Sequence, residues 1–165
     1  MPPVNRTEYE QALQAWVQSQ MPAGQLCIYE DSDGPDLTAF ATIKVIAFPT
    51  VGRPEVRVLD QPSGGKFLGQ VQMHYRGTCS LNVYGAGARN LLEVIKRSAF
   101  IPDVNLANCG AGLFIESYGG TVDLTGLIGD RTRPRFQCDV FFHWSELTEY
   151  DGDVIETVTS TGVVQ

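Results

Sequence analysis

The segment from Arg131 to Trp144 constrains the fold more than any other part of the chain. Its apolar set alternates strictly with a second, mostly polar set: Phe136, Cys138, Val140, Phe142 and Trp144 against Arg135, Gln137, Asp139, Phe141 and His143. A period of two places successive side chains on opposite faces of a β-strand. The segment therefore predicts a strand with one face in the core and the other nearer to solvent.

Several other segments have the composition of strands. Residues 37–49 are rich in β-branched and aromatic side chains, and residues 55–59 lead into a tip at residues 60–65, where Pro, Ser and two Gly favour a turn. The returning arm alternates through residues 67–83, with a phase change that predicts a bulge or bend at Arg76-Gly77. Further strands are predicted at residues 26–29, 112–118 and 153–159.

Two segments show the periodicity of helices. Apolar residues recur at helical spacing over residues 5–20, before Pro22, and again over residues 86–100, where Pro102 is predicted to end the helix. The order of elements predicts an α+β fold: a mostly antiparallel sheet covered on one face by two helices. At 165 residues the chain is predicted to form a single domain, residues 1–165.

Charge and composition exclude several classes of partner. The chain has a formal charge of −7, which opposes a phosphate backbone and disfavours a DNA-binding module. It has no run of about 20 apolar residues, so no membrane partner is expected, and its first residues lack the apolar segment of a signal peptide. The chain is therefore expected to be soluble and made in the cytosol. The four cysteines, without a Cys-x-x-Cys pair, predict reduced, mostly buried thiols and no compact zinc site.

No segment predicts catalysis, a metal site or a cofactor. Residues 85–90 (Gly-Ala-Gly-Ala-Arg-Asn) join a predicted strand to a predicted helix, but asparagine occupies the third glycine position of a dinucleotide-binding turn. The favoured interpretation is a tight turn, and a nucleotide-binding enzyme is the remote alternative. His74 and His143 lie on the less apolar faces of their strands. The acidic residues 149–156 lack the pattern of a calcium loop, so a solvated acidic turn is predicted at residues 151–153.

The distribution of charge predicts a contact between copies of the chain. Arg131, Arg133 and Arg135 recur at period two at the start of a predicted strand, whereas residues 146–165 are acidic. A positive row and a negative segment on one subunit suit a head-to-tail ring. The residues predicted for this subunit or partner interface are Arg131, Arg133, Arg135, Glu149, Asp151, Asp153 and Glu156, together with Gln61, Ser63 and Lys66 at the hairpin tip.

Several segments together resemble the phage neck or tail terminator family. They are residues 40–45 (Phe-Ala-Thr-Ile-Lys-Val), 80–85 with the helix containing residues 90–93, 123–125, 133–142 and 153–158. The likeness covers roughly residues 7–160.

The resemblance implies an α+β subunit of a homohexameric ring in the virion, at the neck or top of the tail. Its implied partners are further copies of itself, a connector or stopper protein on the head side and the tail-tube protein on the tail side. It further implies that the genome passes through the lumen of the ring without sequence-specific binding. The family has no catalytic residues, so none is implied here. Another neck component, such as the stopper, or a tail-tube-like subunit remains an alternative.

Overall fold

The computed structural model describes residues 7–30, 39–60, 66–128 and 131–153. Within them lie three helices: α1 (Glu8–Ser19), α2 (Ala88–Ser98) and α3 (Pro102–Gly110). The strands are β1 (Leu26–Tyr29), β2 (Phe40–Ala47), β3 (Glu55–Asp60), β4 (Lys66–Tyr84), β5 (Leu113–Tyr118), β6 (Val122–Asp123), β7 (Gly126–Ile128), β8 (Arg131–Arg133) and β9 (Arg135–Asp153). The tip at residues 61–65 and the predicted strand at residues 154–159 lie outside the described residues.

The predicted α+β class is confirmed, but the sheet is mixed. Its order is β1-β2-β4-β9-β5, with β3 also paired to β4 and β6 to β9, while β7 and β8 form a separate pair. β1 runs parallel to β2, whereas β2 is antiparallel to β4 and β5 to β9. Ten positions separate the end of β1 from the start of β2, more than a hairpin turn needs, and parallel neighbours require a longer connection than antiparallel ones.

The prediction of two helices was wrong because Pro102 begins a helix. α2 already ends at Ser98, and Pro102 occupies the first turn of α3. Proline fits this position because its φ is preset for a helix and its missing N–H would have no partner there. A proline that follows an apolar helical stripe is thus compatible with the end of that helix or with the beginning of a new one.

The predicted bulge at Arg76-Gly77 was placed on the wrong strand. β4 continues through Gly77 without interruption. The register instead shifts on β2, where Val45 pairs with Cys79 and Ala47 with Thr78, so Ile46 is the extra residue. Gly77 has a different role: a Cβ atom at this position would overlap the ring of Phe142.

The chain divides into two compact units. Unit 1 comprises residues 1–50 and 75–144, and unit 2 comprises residues 51–74 and 145–165. The single-domain interpretation stays a prediction.

The hydrophobic core of unit 1 lies between its helices and one face of its sheet. α1 contributes Leu13, Trp16 and Val17, and α2 contributes Leu92 and Ile95. On the sheet side, the predicted alternation of β9 is confirmed where it was cleanest, since Cys138, Val140, Phe142 and Trp144 are all buried. Their burial fixes which face of β9 carries the intervening residues, and therefore where the polar side chains lie.

The outer edge of β1 is capped by two glutamines of α1. Gln14 Nε2 donates to the carbonyl oxygen of Cys27 at 2.8 Å, and Gln18 Oε1 accepts from the backbone N–H of Cys27 at 2.8 Å. Gln18 Nε2 also donates to the carbonyl oxygen of Gln25 at 3.1 Å. Side chains four positions apart lie on the same face of a helix. They therefore satisfy the backbone groups that an edge strand would otherwise offer to another chain.

Replacing Gln18 with alanine is expected to lower the free energy of unfolding by about 1–2 kcal/mol, because two half-buried backbone groups lose their partners. Urea denaturation measures the change. Gln18→Glu is the matched variant: its carboxylate still accepts from Cys27 but cannot donate to Gln25, so an intermediate loss is expected. Equal stability of Gln18→Ala and wild type would contradict this account of the edge.

Candidate subunit interface

Two arginines near the start of β9 lie over a pair of stacked aromatic rings. Phe40 and Tyr84 are partners across β2 and β4, with ring centroids 4.5 Å apart. The guanidinium carbon of Arg133 lies 5.1 Å from the centroid of Phe40, and that of Arg135 lies 5.3 Å from the centroid of Tyr84. Both distances are within the range of about 6 Å for cation–π contacts. The rings hold both cations against unit 1.

Arg135 is also anchored by a buried amide. Its Nε and Nη2 donate to Asn82 Oδ1 at 3.1 and 3.0 Å, and Asn82 is only 1% exposed. Next along the same two strands, Gln137 Nε2 donates to Ser80 Oγ at 2.8 Å. Residue numbers fall on β9 as they rise on β4, so these strands run antiparallel here. The network uses the β9 residues between the core positions, so Arg135 and Gln137 find hydrogen-bond partners on β4.

A second charged cluster lies on β4, β5 and β9 in unit 1. Arg76 makes two hydrogen bonds to Glu116, Nε to Oε2 at 2.9 Å and Nη2 to Oε1 at 2.8 Å. His143 Nε2 lies 3.2 Å from the same Oε2 atom. The ring of Phe114, 45% exposed, lies 6.3 Å from that of His143. Because these side chains are partly exposed, the cluster suits surface recognition better than proton transfer in an enclosed site.

The predicted arginine row does not form on one strand. Arg131 and Arg133 belong to β8, which pairs with β7, whereas Arg135 begins β9 in the main sheet. Pro134 separates them, because it has no N–H to continue a ladder. The guanidinium of Arg135 is committed to Asn82 and Tyr84, and the side chain of Arg131 lies outside the described part of the chain. A role for the three arginines in subunit contact stays a prediction.

The acidic residues of the prediction lie partly in β9. Glu149 is exposed and accepts a hydrogen bond from Gln70 Nε2 at 3.0 Å. Asp151 and Asp153 belong to the strand, so the predicted acidic turn at residues 151–153 was wrong. Their side chains are not among those described, nor is that of Lys66, which begins β4. Gln61, Ser63 and Glu156 lie outside the described residues.

The glycine turn after β4 is a strand-to-helix connection. Gly85 and Gly87 have φ values of 103° and 78°, which favour glycine, and Gly87 precedes the first residue of α2. β5, the strand that follows α2 and α3, does not pair with β4 because β9 lies between them. The adjacent parallel strands of a dinucleotide-binding unit are therefore missing at this turn. In the described part of the chain, no group of three His, Cys, Asp or Glu side chains is placed to hold a metal ion.

Three of the four thiols are buried. Burial raises the pKa of Cys27 and of Cys79 to about 12 and that of Cys138 to about 11, whereas Cys109 is exposed. The predicted buried thiols are thus confirmed at three positions. Because the thiolate is the reactive form, the buried cysteines are chemically inert in the folded protein.

Ellman's reagent at pH 8 is expected to label one thiol per folded chain, Cys109, and all four in denaturant. The same pKa shifts make stability depend on pH: a thiol in the unfolded chain has its ordinary pKa of 9.0, whereas burial raises the pKa of Cys27 and Cys79 to about 12 in the folded protein. Their contribution is complete below pH 9 and is lost as the pH rises toward 12. Rapid labelling of a second thiol in native buffer would contradict the burial.

A mixed basic and apolar surface on α2 and the turn after it was not predicted. We define the helix surface as Arg89, Val94, Arg97, Phe100 and Ile101. All five are exposed, with Phe100 at 60% and Ile101 at 50%. The available signal was Pro102: as the start of α3, it places Phe100 and Ile101 in an interhelical turn rather than on a core-facing stripe.

Comparison with known proteins decides the family. The family model described as phage neck terminator protein matches residues 8–165. The chain belongs to this phage neck terminator family. The match begins at the first residue of α1 and spans every element described above, so the resemblance noted in the sequence is confirmed.

Among solved structures, the chain is similar to the PVC sheath/tube terminator of an extracellular contractile injection system in its extended state. The identity is 13%, the TM-score is 0.49, and the alignment covers 99% of this chain and 65% of that one. The neck terminator chain thus spans just under two thirds of the length of that relative. A search of curated proteins finds no match. No described helix combines the length and the apolar character needed to cross a bilayer.

Proposed function

We propose that the chain forms a homohexameric ring in the phage neck, which ends growth of the tail tube and joins the tail to the head-proximal connector. The observation that carries the proposal is the family match over residues 8–165. In this role the protein acts by binding other proteins and does not catalyse a reaction. The implied partners are neighbouring copies, a connector or stopper protein on the head side and the tail-tube protein on the tail side.

The sheet edges of unit 1 support assembly. The two glutamines of α1 seal β1, whereas among the described strands β5 pairs only with β9. Open strand edges are normally protected or paired, and a neighbouring copy or partner protein would provide that protection. We include in the proposed contacts the sequence-predicted residues of the arginine row, the acidic segment and the hairpin tip.

The net charge fits passage of DNA through a lumen. Each copy has a formal charge of −7, and six copies carry six times that charge. An acidic wall repels the phosphate backbone, so DNA slides past without sequence-specific binding.

Deletion of the gene from its phage tests this role. The expected products are filled heads and unjoined tails of abnormal length, scored by negative-stain microscopy, with restoration by the wild-type gene in trans. Unjoined tails of normal length would instead indicate a stopper, because tube growth would still have ended correctly. Normal infectious particles would contradict the proposal.

Calorimetric titration separates an adaptor from the remote alternative of a nucleotide-binding enzyme. Titration of the purified chain with NAD and with ATP is expected to give no saturable heat. Saturable binding that disappears in a Gly87→Val variant with unchanged circular dichroism would favour the enzyme.

A further inference from the structure

Three residues of the helix surface line a pocket in unit 1. The pocket has a volume of about 300 Å³, and its walls come from the end of α1, from α2 and from the turn after α2: Gln20, Val94, Arg97, Ser98 and Ile101. The hydroxyl of Ser98 is already engaged, because its Oγ accepts from Trp16 Nε1 at 3.1 Å and donates to the carbonyl oxygen of Ile95 at 2.7 Å. The pocket therefore combines apolar walls with one charged group, the guanidinium of Arg97.

The apolar part of the helix surface continues beyond this pocket. The Phe100 ring makes an edge contact with Tyr118, with ring centroids 5.7 Å apart, yet Phe100 remains 60% exposed. Val94 and Ile101 are 43% and 50% exposed. Adjoining exposed apolar residues with a polar border mark protein interaction sites, and aromatic and arginine side chains are enriched in such sites. The helix surface therefore suits a protein partner with apolar side chains.

Arg97 gives this surface a positive charge that is available to a partner. Arg97 Nε donates to the carbonyl oxygen of Glu93 at 3.2 Å, which orients the guanidinium without neutralising it. The Glu93 carboxylate is itself engaged: it accepts from Thr121 Oγ1 at 2.8 Å and lies 3.2 Å from Lys96 Nζ. A partner that places a carboxylate between aliphatic side chains would match both the charge and the apolar area.

The sequence contains such a segment after β9. Residues 154–165 (Val-Ile-Glu-Thr-Val-Thr-Ser-Thr-Gly-Val-Val-Gln) include five aliphatic residues and one Glu, with no Lys or Arg. In an extended chain, alternation puts Val154, Glu156 and Val158 on one side, so that the acid stands between two aliphatic side chains. Residues 31–38, also outside the described part of the chain, contain three Asp but only one large aliphatic residue, Leu37. Twelve extended residues reach at most about 40 Å, enough to cross to a neighbouring subunit.

We propose that residues 154–165 of one copy bind the helix surface of a neighbouring copy, with Glu156 facing Arg97 and the flanking valines on Val94 and Ile101. This rests on the proposed function, since it takes the ring of copies as given and names a contact within it. The two surfaces differ, so the contact is head-to-tail, the type that closes into a ring when the rotation permits. The opposite charges set the register of the segment on the helix surface.

Photo-crosslinking in assembled phage particles tests the contact directly. A photoreactive phenylalanine analogue at Ile101 is expected to give a product of twice the chain mass, with the crosslinked position within residues 154–165 of the other copy. The same analogue at Leu26, which is exposed on the glutamine-capped strand, is the matched control and should not reach that segment. An Ile101 crosslink to residues 154–165 of the same chain, to another part of a second copy or to a different virion protein would overturn the inference.

Charge reversal provides a second test. Arg97→Glu and Glu156→Lys are each expected to reduce incorporation of the chain into particles at least tenfold, and the double variant to restore most of it. Arg53→Glu is the matched control, because Arg53 is exposed, lies outside the helix surface and changes the net charge by the same amount. It should assemble normally. Circular dichroism of each purified variant verifies folding. A double variant no better than either single variant would contradict the pairing.

The two proposals fail in different ways. If particles contain the chain in the neck but Ile101 crosslinks elsewhere, the contact is wrong and the terminator role stands. If deletion of the gene leaves normal particles, the terminator role itself is wrong.

Discussion

Replacing Gly77 with alanine is expected to destabilise the folded protein by about 2–3 kcal/mol, the upper part of the range for overpacked cores. The added Cβ would overlap the Phe142 ring, and Phe142 is fully buried. That ring cannot swing into solvent, because it packs among the aromatic side chains of Tyr9 and Phe48. For a chain of this size the loss corresponds to roughly 4–12 °C in Tm.

Urea and thermal denaturation measure the effect, and two variants make it specific. Gly120→Ala is the matched control, because a Cβ there meets no atom within 4 Å and its φ does not require glycine; a change under about 0.5 kcal/mol is expected. Phe142→Leu in the Gly77→Ala background should cost less than the sum of the two single changes, since the smaller side chain makes room. If Gly77→Ala were as stable as wild type, the close approach would be wrong.

Replacing Asn82 with alanine is expected to lower the free energy of unfolding by about 1.5–3 kcal/mol, the range for a hydrogen bond to a charged group. Asn82 Oδ1 accepts from Arg135 Nε and Nη2, so its removal deprives a half-buried guanidinium of this acceptor. Arg135→Met should also destabilise the protein, because it leaves the buried oxygen of Asn82 without these donors. The double variant should lose less than the sum, since it removes both groups together.

The exposed pair of Arg76 and Glu116 provides the contrast. It has the same forked geometry, but the side chain of Arg76 is 54% exposed. Arg76→Met is therefore expected to cost less than about 1 kcal/mol, as for surface ion pairs. Urea denaturation of the four variants compares the contributions of the Arg135–Asn82 and Arg76–Glu116 pairs to the free energy of unfolding. A larger loss for Arg76→Met than for Asn82→Ala would contradict the assignment of burial as the deciding difference.

Sequence pattern predicted the sheet well where a residue's burial follows from its own strand. The alternation from Phe136 to Trp144 identified the core face of β9, because burial of every second residue is a property of the strand itself. The parallel pairing of β1 and β2 depends on a connection rather than on a strand, so no local pattern carried it. The prediction at Pro102 was wrong for a related reason, because a proline can follow the end of one helix or occupy the first turn of the next.

The candidate interface was harder to predict because charge alone does not show which groups are already engaged. Arg135 has the spacing of a surface row, but a buried amide on β4 binds it. Asn82 is more than 50 positions away in the chain, and no local pattern connects the two residues. The helix surface was not predicted because Phe100 and Ile101 are apolar and apolar residues are expected in the core. Their exposure depends on the start of α3 at Pro102, which places them in the turn between two helices.

Because the glutamine cap on β1 belongs to α1, the edge of β1 is protected against aggregation only while that helix is docked. Gln14 and Gln18 cover Cys27 and Gln25 only while α1 is docked, so local fraying of α1 would unmask a bare strand before the rest of unit 1 unfolds. During synthesis the helix precedes the strand that it covers: α1 is made first, and its glutamines are available as soon as β1 emerges. A truncated chain that begins after residue 20 would lack this safeguard and should precipitate by joining strand to strand.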